Sequence, residues 1–386
     1  MWRFLVFSVD VIYCNTFVFG AFKICLKLNT FNFLCLLIDL FYFKGVIFSI
    51  DYNYKHGLIC SSSDDRSTVI WTTEGRNLLK ELSKSEPNVT STCTVHGHTA
   101  RVFRCKTFTD YIVTAGEDSI INVWSINGDL IKRFNSLQRG SIWALDYDDK
   151  TRSLISGGAD GSVTCFRMNP VVPARVLRGV RDTPKRVRFL NDRSVVSITE
   201  TGILVHYDTK DNQFKQIAHH SDLDSYALLE TSDCGRFVAL AGIHGTIHLY
   251  RTGDFGLERF ESCQVRDERR VFALHWLSCK YVLTCFANGL LVVWKVSHEL
   301  TPVHVLRLPL SKERWTTCGS LCGKRHIIVG DRRGNLYLYS WSSTEPVYTY
   351  KRAHNYLGVT STYYERGRVV SLGEYAILFS GNGFKM

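Results

Sequence analysis

The chain carries 13 cysteines and 13 histidines, the side chains best able to hold a metal or attack a substrate. Their spacing organises them for neither. No Cys-x-x-Cys pair occurs; Cys318 and Cys322 come nearest, and no second pair lies at zinc-site spacing. His219-His220 reads as a solvated loop pair. Gly157-Gly158-Ala159-Asp160-Gly161 resembles a phosphate loop, yet it sits between two strand-like runs with no helix after it to supply free amide donors, so it reads as a hairpin. There is no P-loop, no His-Glu-x-x-His, no Gly-x-Ser-x-Gly and no Gly-x-Gly-x-x-Gly opening a helix. No catalytic residue, cofactor or metal is therefore assigned, and the chain is expected not to be an enzyme.

Arginines are the better candidates, for binding. Net charge is +11, of which residues 1–44 contribute +2, a balance that permits contact with nucleic acid or an anionic membrane. The basic clusters are Arg101 with Arg104, Lys185-Arg186 with Arg188, Arg266 with Arg269-Arg270, Lys324-Arg325, and Arg332-Arg333. On loops between strands, arginines suit phosphate contact, because the guanidinium fork matches phosphate oxygens. The competing reading is a solvated face.

The elements that must position these residues follow from periodicity. With 45% hydrophobic residues and only 7 prolines, the chain has the composition of a folded globule. Short runs rich in Val, Ile and aromatics, bounded by turn residues, read as antiparallel strands, and helical periodicity is absent. Scattered cysteines in such runs are apolar fillers of a reducing compartment, which places the protein in the cytoplasm and argues against use of the Asn88-Val89-Thr90 sequon. From Lys44 onward the runs repeat. Each unit closes on an aromatic residue: Trp71, Trp124, Phe166, Tyr207, Tyr250, Trp294 and Tyr339, with Phe379 in an incomplete last unit. A period near 43 residues signals stacked units that bury their apolar faces only against one another.

Six residues before each aromatic stand Asp65, Asp118, Asp160, Thr201, His244, Asn288, Arg333 and Gly373. Glycine follows from the third unit to the seventh, as a hairpin needing positive φ prefers. The hairpin is expected throughout. An Asp-based polar set is expected only up to Asp160, with packing alone holding later units, and His244 and Arg333 are expected exposed on a rim. Pro170-Val171-Val172-Pro173 marks a candidate break. The chain thus divides into residues 44–168 with Asp-type turns and 169–386 with divergent units, the last lacking its outer strand. These units close either one ring or parts of two. Residues 1–43 are hydrophobic without clean periodicity. A signal peptide lacks its cleavage site, and a membrane span over residues 28–43 is short and contains Asp39. A gene-model error is the preferred reading, because the repeat starts abruptly at Lys44, and no membrane contact is then expected.

The Gly97-His98 opening, Asp118 and the closing Trp124 resemble a WD40 repeat, one blade of a β-propeller. The expected fold is all-β: about seven four-stranded blades and a partial eighth. The resemblance implies a buried hydrogen-bonded set of His98, Thr114, Asp118 and Trp124, with Asp65, Trp71 and Asp160 at matching positions, all structural. GHTARVFRCK, RGSIWALDYD, ERWTTCGSL and VGDRRGNLYLY, in this order, resemble the WD repeat-containing protein 6 family, the auxiliary subunit of the tRNA wobble-ribose 2′-O-methyltransferase. That resemblance covers residues 44 to about 380. It implies a non-catalytic adapter whose partners are the catalytic methyltransferase subunit and tRNA. Of the basic clusters, Arg101, Arg104, Arg186, Arg188, Arg269, Arg270, Arg332 and Arg333 are the candidate contacts to tRNA or partner. Phe43 and Gln138 depart from the pattern, standing where a repeat-start His is expected. The alternative is a general WD40 scaffold in signalling, protein turnover or trafficking, without RNA contact.

Overall fold

The computed structural model describes residues 24–29, 33–39, 47–53, 58–73 and 89–380, apart from 109, 136–137, 169–173, 212, 224–225, 254–255, 266–269, 311–314, 323–325, 342, 355–357, 366–367 and 374–375. Among these residues every regular element is a strand. The first two are β1 (Ile24–Asn29) and β2 (Phe33–Asp39). Seven antiparallel four-stranded sheets, or blades, follow in chain order. Blade one is β3 (Ile47–Asn53), β4 (Leu58–Ser63), β5 (Ser67–Thr73) and β6 (Val89–His96). Blade two is β7 (Val102–Thr107), β8 (Tyr111–Gly116), β9 (Ile121–Ser125) and β10 (Leu130–Phe134). Blade three is β11 (Ile142–Asp148), β12 (Ser153–Gly158), β13 (Ser162–Arg167) and β14 (Arg175–Arg178). Blade four is β15 (Pro184–Asn191), β16 (Ser194–Thr199), β17 (Ile203–Asp208) and β18 (Gln213–His219). Blade five is β19 (Leu228–Thr231), β20 (Phe237–Ala241), β21 (Thr246–Gly253) and β22 (Gly256–Gln264). Blade six is β23 (Val271–Ser278), β24 (Tyr281–Phe286), β25 (Leu290–Val296) and β26 (Leu300–Arg307). Blade seven is β27 (Thr316–Cys322), β28 (His326–Asp331), β29 (Leu336–Ser340) and β30 (Pro346–Tyr350).

The eighth blade is assembled from both ends of the sequence. Strands β31 (Val359–Glu365), β32 (Arg368–Gly373) and β33 (Ala376–Ser380) pair in order. β2 then lies antiparallel to β33, from Cys35 opposite Ser380 to Asp39 opposite Ala376, and β1 adds a fifth strand. The last unit therefore does not lack its outer strand, as the sequence reading had it. Its outer strand comes from residues set aside there as foreign to the repeat, because a pairing across some 340 positions leaves no periodic trace. The span weighed over residues 28–43 falls partly in β2, and among the described residues no helix is long and apolar enough to cross a membrane.

The core lies between blades, as it must when each sheet has two apolar faces. Ala144, Ile155 and Val163 of blade three pack on Val187, Val195, Val205 and Tyr207 of blade four. Blades five and six, then six and seven, repeat the arrangement. The closing aromatics Phe166, Tyr207, Tyr250 and Tyr339 are fully buried in these layers. Each contributes about 2–3 kcal/mol relative to an exposed ring. Innermost strands β3, β7, β11, β15, β19, β23, β27 and β31 all contribute to the wall of one channel, so the eight blades close a single ring.

In blades one to seven, one residue of the β-hairpin joining the second and third strands adopts the left-handed conformation. It is Arg66 in blade one and Ser119 in blade two, then Gly161, Gly202, Gly245, Gly289 and Gly334, with φ between 63° and 86°. Glycine takes over where no side chain is needed there.

In blade two His98 Nδ1 lies 2.9 Å from Asp118 Oδ2, and His98 Nε2 lies 2.8 Å from Thr114 Oγ1. Trp124 Nε1–H donates to the same hydroxyl at 2.9 Å. Burial pushes the Asp118 carboxyl up, but bonds from His98 and the Thr99 and Ile120 amides outweigh it and hold the group below its ordinary value. In blade three Gln138 replaces the His, bonding Ser156 and Ser162 while Asp160 accepts from the Arg139 amide and Ser162. Asp65 of blade one caps its own turn through Ser67; the Trp71 side chain lies outside the description.

Polar sets do not stop at Asp160, contrary to the sequence reading. In blade four Asp182 accepts from Thr201 at 2.6 Å. In blade five Asp222 meets His248 Nε2 at 2.8 Å, and His220 Nε2 lies 2.7 Å from Tyr250 Oη. In blade six Trp294 donates to Thr284. Asp331 of blade seven, fully buried, accepts from Asn335 and Tyr337, and His354 bonds Ser371 in blade eight. The carboxylate has moved from the hairpin to the preceding loop or to a strand end, so the same polar demand is met from positions that a hairpin-centred pattern misses.

Candidate functional site

Two surfaces gather the cationic residues. The first is the face carrying the second-to-third-strand hairpins. The loop entering each inner strand lies on this face too, because the first amide of the hairpin donates to a carbonyl just before that strand. Glu117 N to Arg101 O (2.9 Å), Ala159 N to Ser141 O (2.8 Å), Ala287 N to Arg270 O (2.9 Å) and Arg332 N to Trp315 O (2.9 Å) repeat the same link. Arg101, Arg270, Arg332 and Arg333 all belong to this loop face. Arg101 is half-neutralised by Asp64 at 2.9 Å and Glu117 at 3.8 Å. Arg333 is half-buried rather than fully exposed, whereas His244 is exposed. Arg269 lies outside the described residues.

Aromatic rings are interleaved with these cations. Arg270 lies over Tyr226 (4.7 Å) and Phe272 (5.0 Å), Phe272 stacks on Trp315 at 5.5 Å, and Arg332 covers Trp315 at 4.9 Å. Tyr226 is 63% exposed and Trp315 38%. A second run continues around the mouth: Phe48 meets Phe103 edge-on, Phe103 stacks on Trp143 at 4.5 Å, and Lys185 caps Trp143 at 4.5 Å. One backbone device explains this collar. The first hairpin of blades one, two, three, four, six, seven and eight has a register shift at the second residue of its inner strand. A bulge re-aims the residue it carries. In the first four of these blades and the sixth, the bulged residues are Phe48, Phe103, Trp143, Lys185 and Phe272.

The second surface is the channel wall. Arg104, Arg186 and Arg188 are not on loops, where the sequence reading put them; they lie on inner strands β7 and β15 and line the channel with Lys106, Glu230 and His275. Alternation sends the third and fifth residues of an inner strand to the same side. The fifth row reads Asp51, Lys106, Asp146 and Arg188 in blades one to four, then Glu230 on the shorter β19 and His275 in blade six. Charge therefore alternates around most of the ring. Lys106 Nζ lies 3.4 Å from Asp51 and Arg188 Nη2 lies 3.0 Å from Glu230. Asp51 and Asp146 also accept the Thr107 and Phe189 amides of the next blade at 2.8 and 3.0 Å, stitching blades together. Asp51 raises the Lys106 pKa and Glu230 raises that of Arg188. Burial raises the Glu230 carboxyl, but Arg188 and His275 more than reverse it. Burial wins at Asp146, whose carboxyl is raised despite Arg188 and Lys106, and it depresses His275.

The model of the WD domain, G-beta repeat matches residues 89–125, the stretch holding the His98 set. Among solved structures, the chain superposes on Saccharomyces cerevisiae Sqt1 with a TM-score of 0.69 at 15% identity, covering 89% of this chain and 98% of that one. The C-terminal WD40 domain of Sif2 gives 0.67 at 12% identity, covering 87% and 96%. The fold is a WD40 β-propeller. Along the propeller, the chain is similar to the tRNA (34-2′-O)-methyltransferase regulator WDR6 of Homo sapiens, with 25% identity over 319 residues, 76% of this chain and 28% of that protein. The Drosophila melanogaster protein of the same name gives 24% over 336 residues, 81% of this chain and 32% of that one. The chain thus spans about a third or less of the curated relatives it matches.

The sequence reading named the arginines but missed the aromatic collar and the alternating ring. Both become visible only when the eight inner strands are set in register, which places Phe48, Phe103, Trp143 and Phe272 in one column and Asp51, Lys106, Asp146, Arg188 and His275 in another.

Proposed function

We propose that this propeller is a non-catalytic adapter in cytoplasmic tRNA modification. It binds the catalytic subunit of a tRNA 2′-O-methyltransferase through a rim and helps present tRNA for methylation of the ribose at position 34. The observation that carries this reading is the similarity to the WDR6 regulators, which covers three quarters of the chain. The chemistry of the loop face supports it. Arg101, Arg270 and Arg332 offer guanidinium forks to a phosphate backbone, and exposed Tyr226 and Trp315 offer stacking faces to unpaired bases.

The test is tRNA binding by the protein with its methyltransferase partner, measured across a salt series. Replacing Arg101, Arg270 and Arg332 by Gln should weaken binding and flatten the salt dependence, by about 0.7–0.9 in the log–log slope per lost phosphate contact. An unchanged slope rejects the loop face as the RNA surface. Unaltered wobble-ribose methylation after depletion of the protein rejects the adapter role and leaves a protein scaffold without RNA contact.

A further inference from the structure

The channel holds two rows of side chains that differ in one respect. In the fifth row each cation has a carboxylate beside it, as Lys106 has Asp51 and Arg188 has Glu230. The third row, nearer the loop face, contains Arg104 on β7 and Arg186 on β15. Its other positions are Ser49, Ala144, Ala273, Cys318 and Ser361, with Leu228 on β19, and none is a carboxylate. Arg104 spends one donor on the Phe103 carbonyl at 3.1 Å, and no salt bridge is formed by it or by Arg186 among the described residues. Burial and then the charges of Arg186 and Arg188 pull the Arg104 guanidinium down to about 9, so it remains protonated at neutral pH. Burial first and then Arg188 lower Arg186 as well, and the pull of Glu230 offsets them only in part.

Two half-buried guanidiniums that repel each other, with the nearby Glu230 carboxylate already paired to Arg188, are costly unless an anion joins them. The cavity they line is about 370 Å³, the size of a small-ligand site. Phe48 and Phe272 of the bulge collar line the same cavity. A ligand that satisfies both features carries a phosphoryl group and a flat ring.

We propose that the loop-face end of the channel is a nucleotide-binding site, in which Arg104 and Arg186 take the phosphate and the collar at Phe48 and Phe272 stacks the base. A free mononucleotide and one nucleotide of an unpaired RNA strand offer the same chemistry. The site stands on the channel geometry and does not require the adapter reading.

The experiment titrates the purified full chain with AMP, adenosine, inorganic pyrophosphate and penta-adenylate RNA, following heat of binding and melting temperature. AMP should bind at least tenfold tighter than adenosine and raise the melting temperature of the wild type. In the Arg104→Gln/Arg186→Gln variant that preference should disappear. Without ligand, this variant should melt at or above the wild-type temperature, because two unpaired like charges are gone. Phe272→Leu should weaken AMP and leave pyrophosphate unchanged. Comparable affinity for AMP and penta-adenylate identifies the free nucleotide as sufficient; tight binding of penta-adenylate alone, still lost in the double variant, identifies a strand. Equal affinity for AMP and adenosine, without tight binding of penta-adenylate that the double variant loses, overturns the proposal. So does a double variant that binds AMP as the wild type does. A double variant that melts several degrees lower without ligand also overturns it, since the arginines would then have partners within the fold.

Discussion

Replacing Thr114 by Val removes a single hydroxyl and keeps the shape. The Asp118 carboxylate accepts from His98 Nδ1–H; with the proton there, Nε2 accepts from the Thr114 hydroxyl, whose oxygen accepts in turn from Trp124 Nε1–H. Thr114 is wholly buried, so no water takes its place. The substitution orphans one donor and one acceptor, each costing about 1–3 kcal/mol, for a total of about 2–6 kcal/mol. For a chain of this length, roughly 2 °C per kcal/mol gives a fall in melting temperature of about 4–12 °C. Urea unfolding followed by tryptophan fluorescence, with calorimetry alongside, measures both. Blade six supplies the control: Thr284 accepts from Trp294 Nε1–H at 2.8 Å and has no histidine partner, so Thr284→Val should cost about half as much. Trp124→Phe removes the orphaned donor, so the Thr114→Val/Trp124→Phe pair should be less destabilised than the sum, with a coupling of about 1–2 kcal/mol. A Thr114→Val cost below about 0.5 kcal/mol, or strict additivity with Trp124→Phe, refutes a relay running from tryptophan to carboxylate.

Glu230→Gln removes the one carboxylate hydrogen-bonded to Arg188, leaving only the more distant Asp146 and Asp51 as counter-charge, and should cost about 3 kcal/mol in urea unfolding, whereas Arg101→Gln, on an exposed pair, should cost under about 1 kcal/mol. Gly116→Ala would set a Cβ 2.1 Å from the Arg101 carbonyl, so it should lower the melting temperature and weaken tRNA binding together by displacing that loop. His220 is held down to about 4, by burial first and then by His248; its unfolded form binds a proton near pH 6.5, so its stabilising effect is lost as pH falls from about 6.5 towards 4. His220→Gln should flatten that limb of the melting-temperature profile. The lowered carboxyls of Asp118, Asp182, Asp222 and Glu230 confer stability above their unfolded pKa values and lose it as pH drops through their folded ones, so a second, steeper fall should follow below about pH 4. A chain beginning at Lys44 removes β1 and β2 and bares the edge of β33, which should appear as a lower melting temperature and concentration-dependent association in light scattering.

The period of the closing aromatics, the hairpin positions and the His98 set were legible because each depends on neighbours within one repeat. Asp182, Asp222 and Asp331 were not, since the carboxylate had moved away from the hairpin position that the reading tracked. The channel arginines were misplaced for a related reason. A cluster such as Lys185-Arg186-Val187-Arg188 looks like a solvated loop by composition, whereas a bulge at Lys185 turns the other two inward. β2 escaped because its partner lies at the far end of the sequence, and pairing at that distance leaves no local pattern.

The joining of β2 to β33 has a temporal consequence. During synthesis the early strand emerges long before its partner, and seven blades can stack while the circle is still open. Only when Ala376–Ser380 clears the ribosome can the clasp snap shut, and the entropy of closing so long a loop grows merely with the logarithm of its length. Until then blades one and seven are nascent ends with bare flanks.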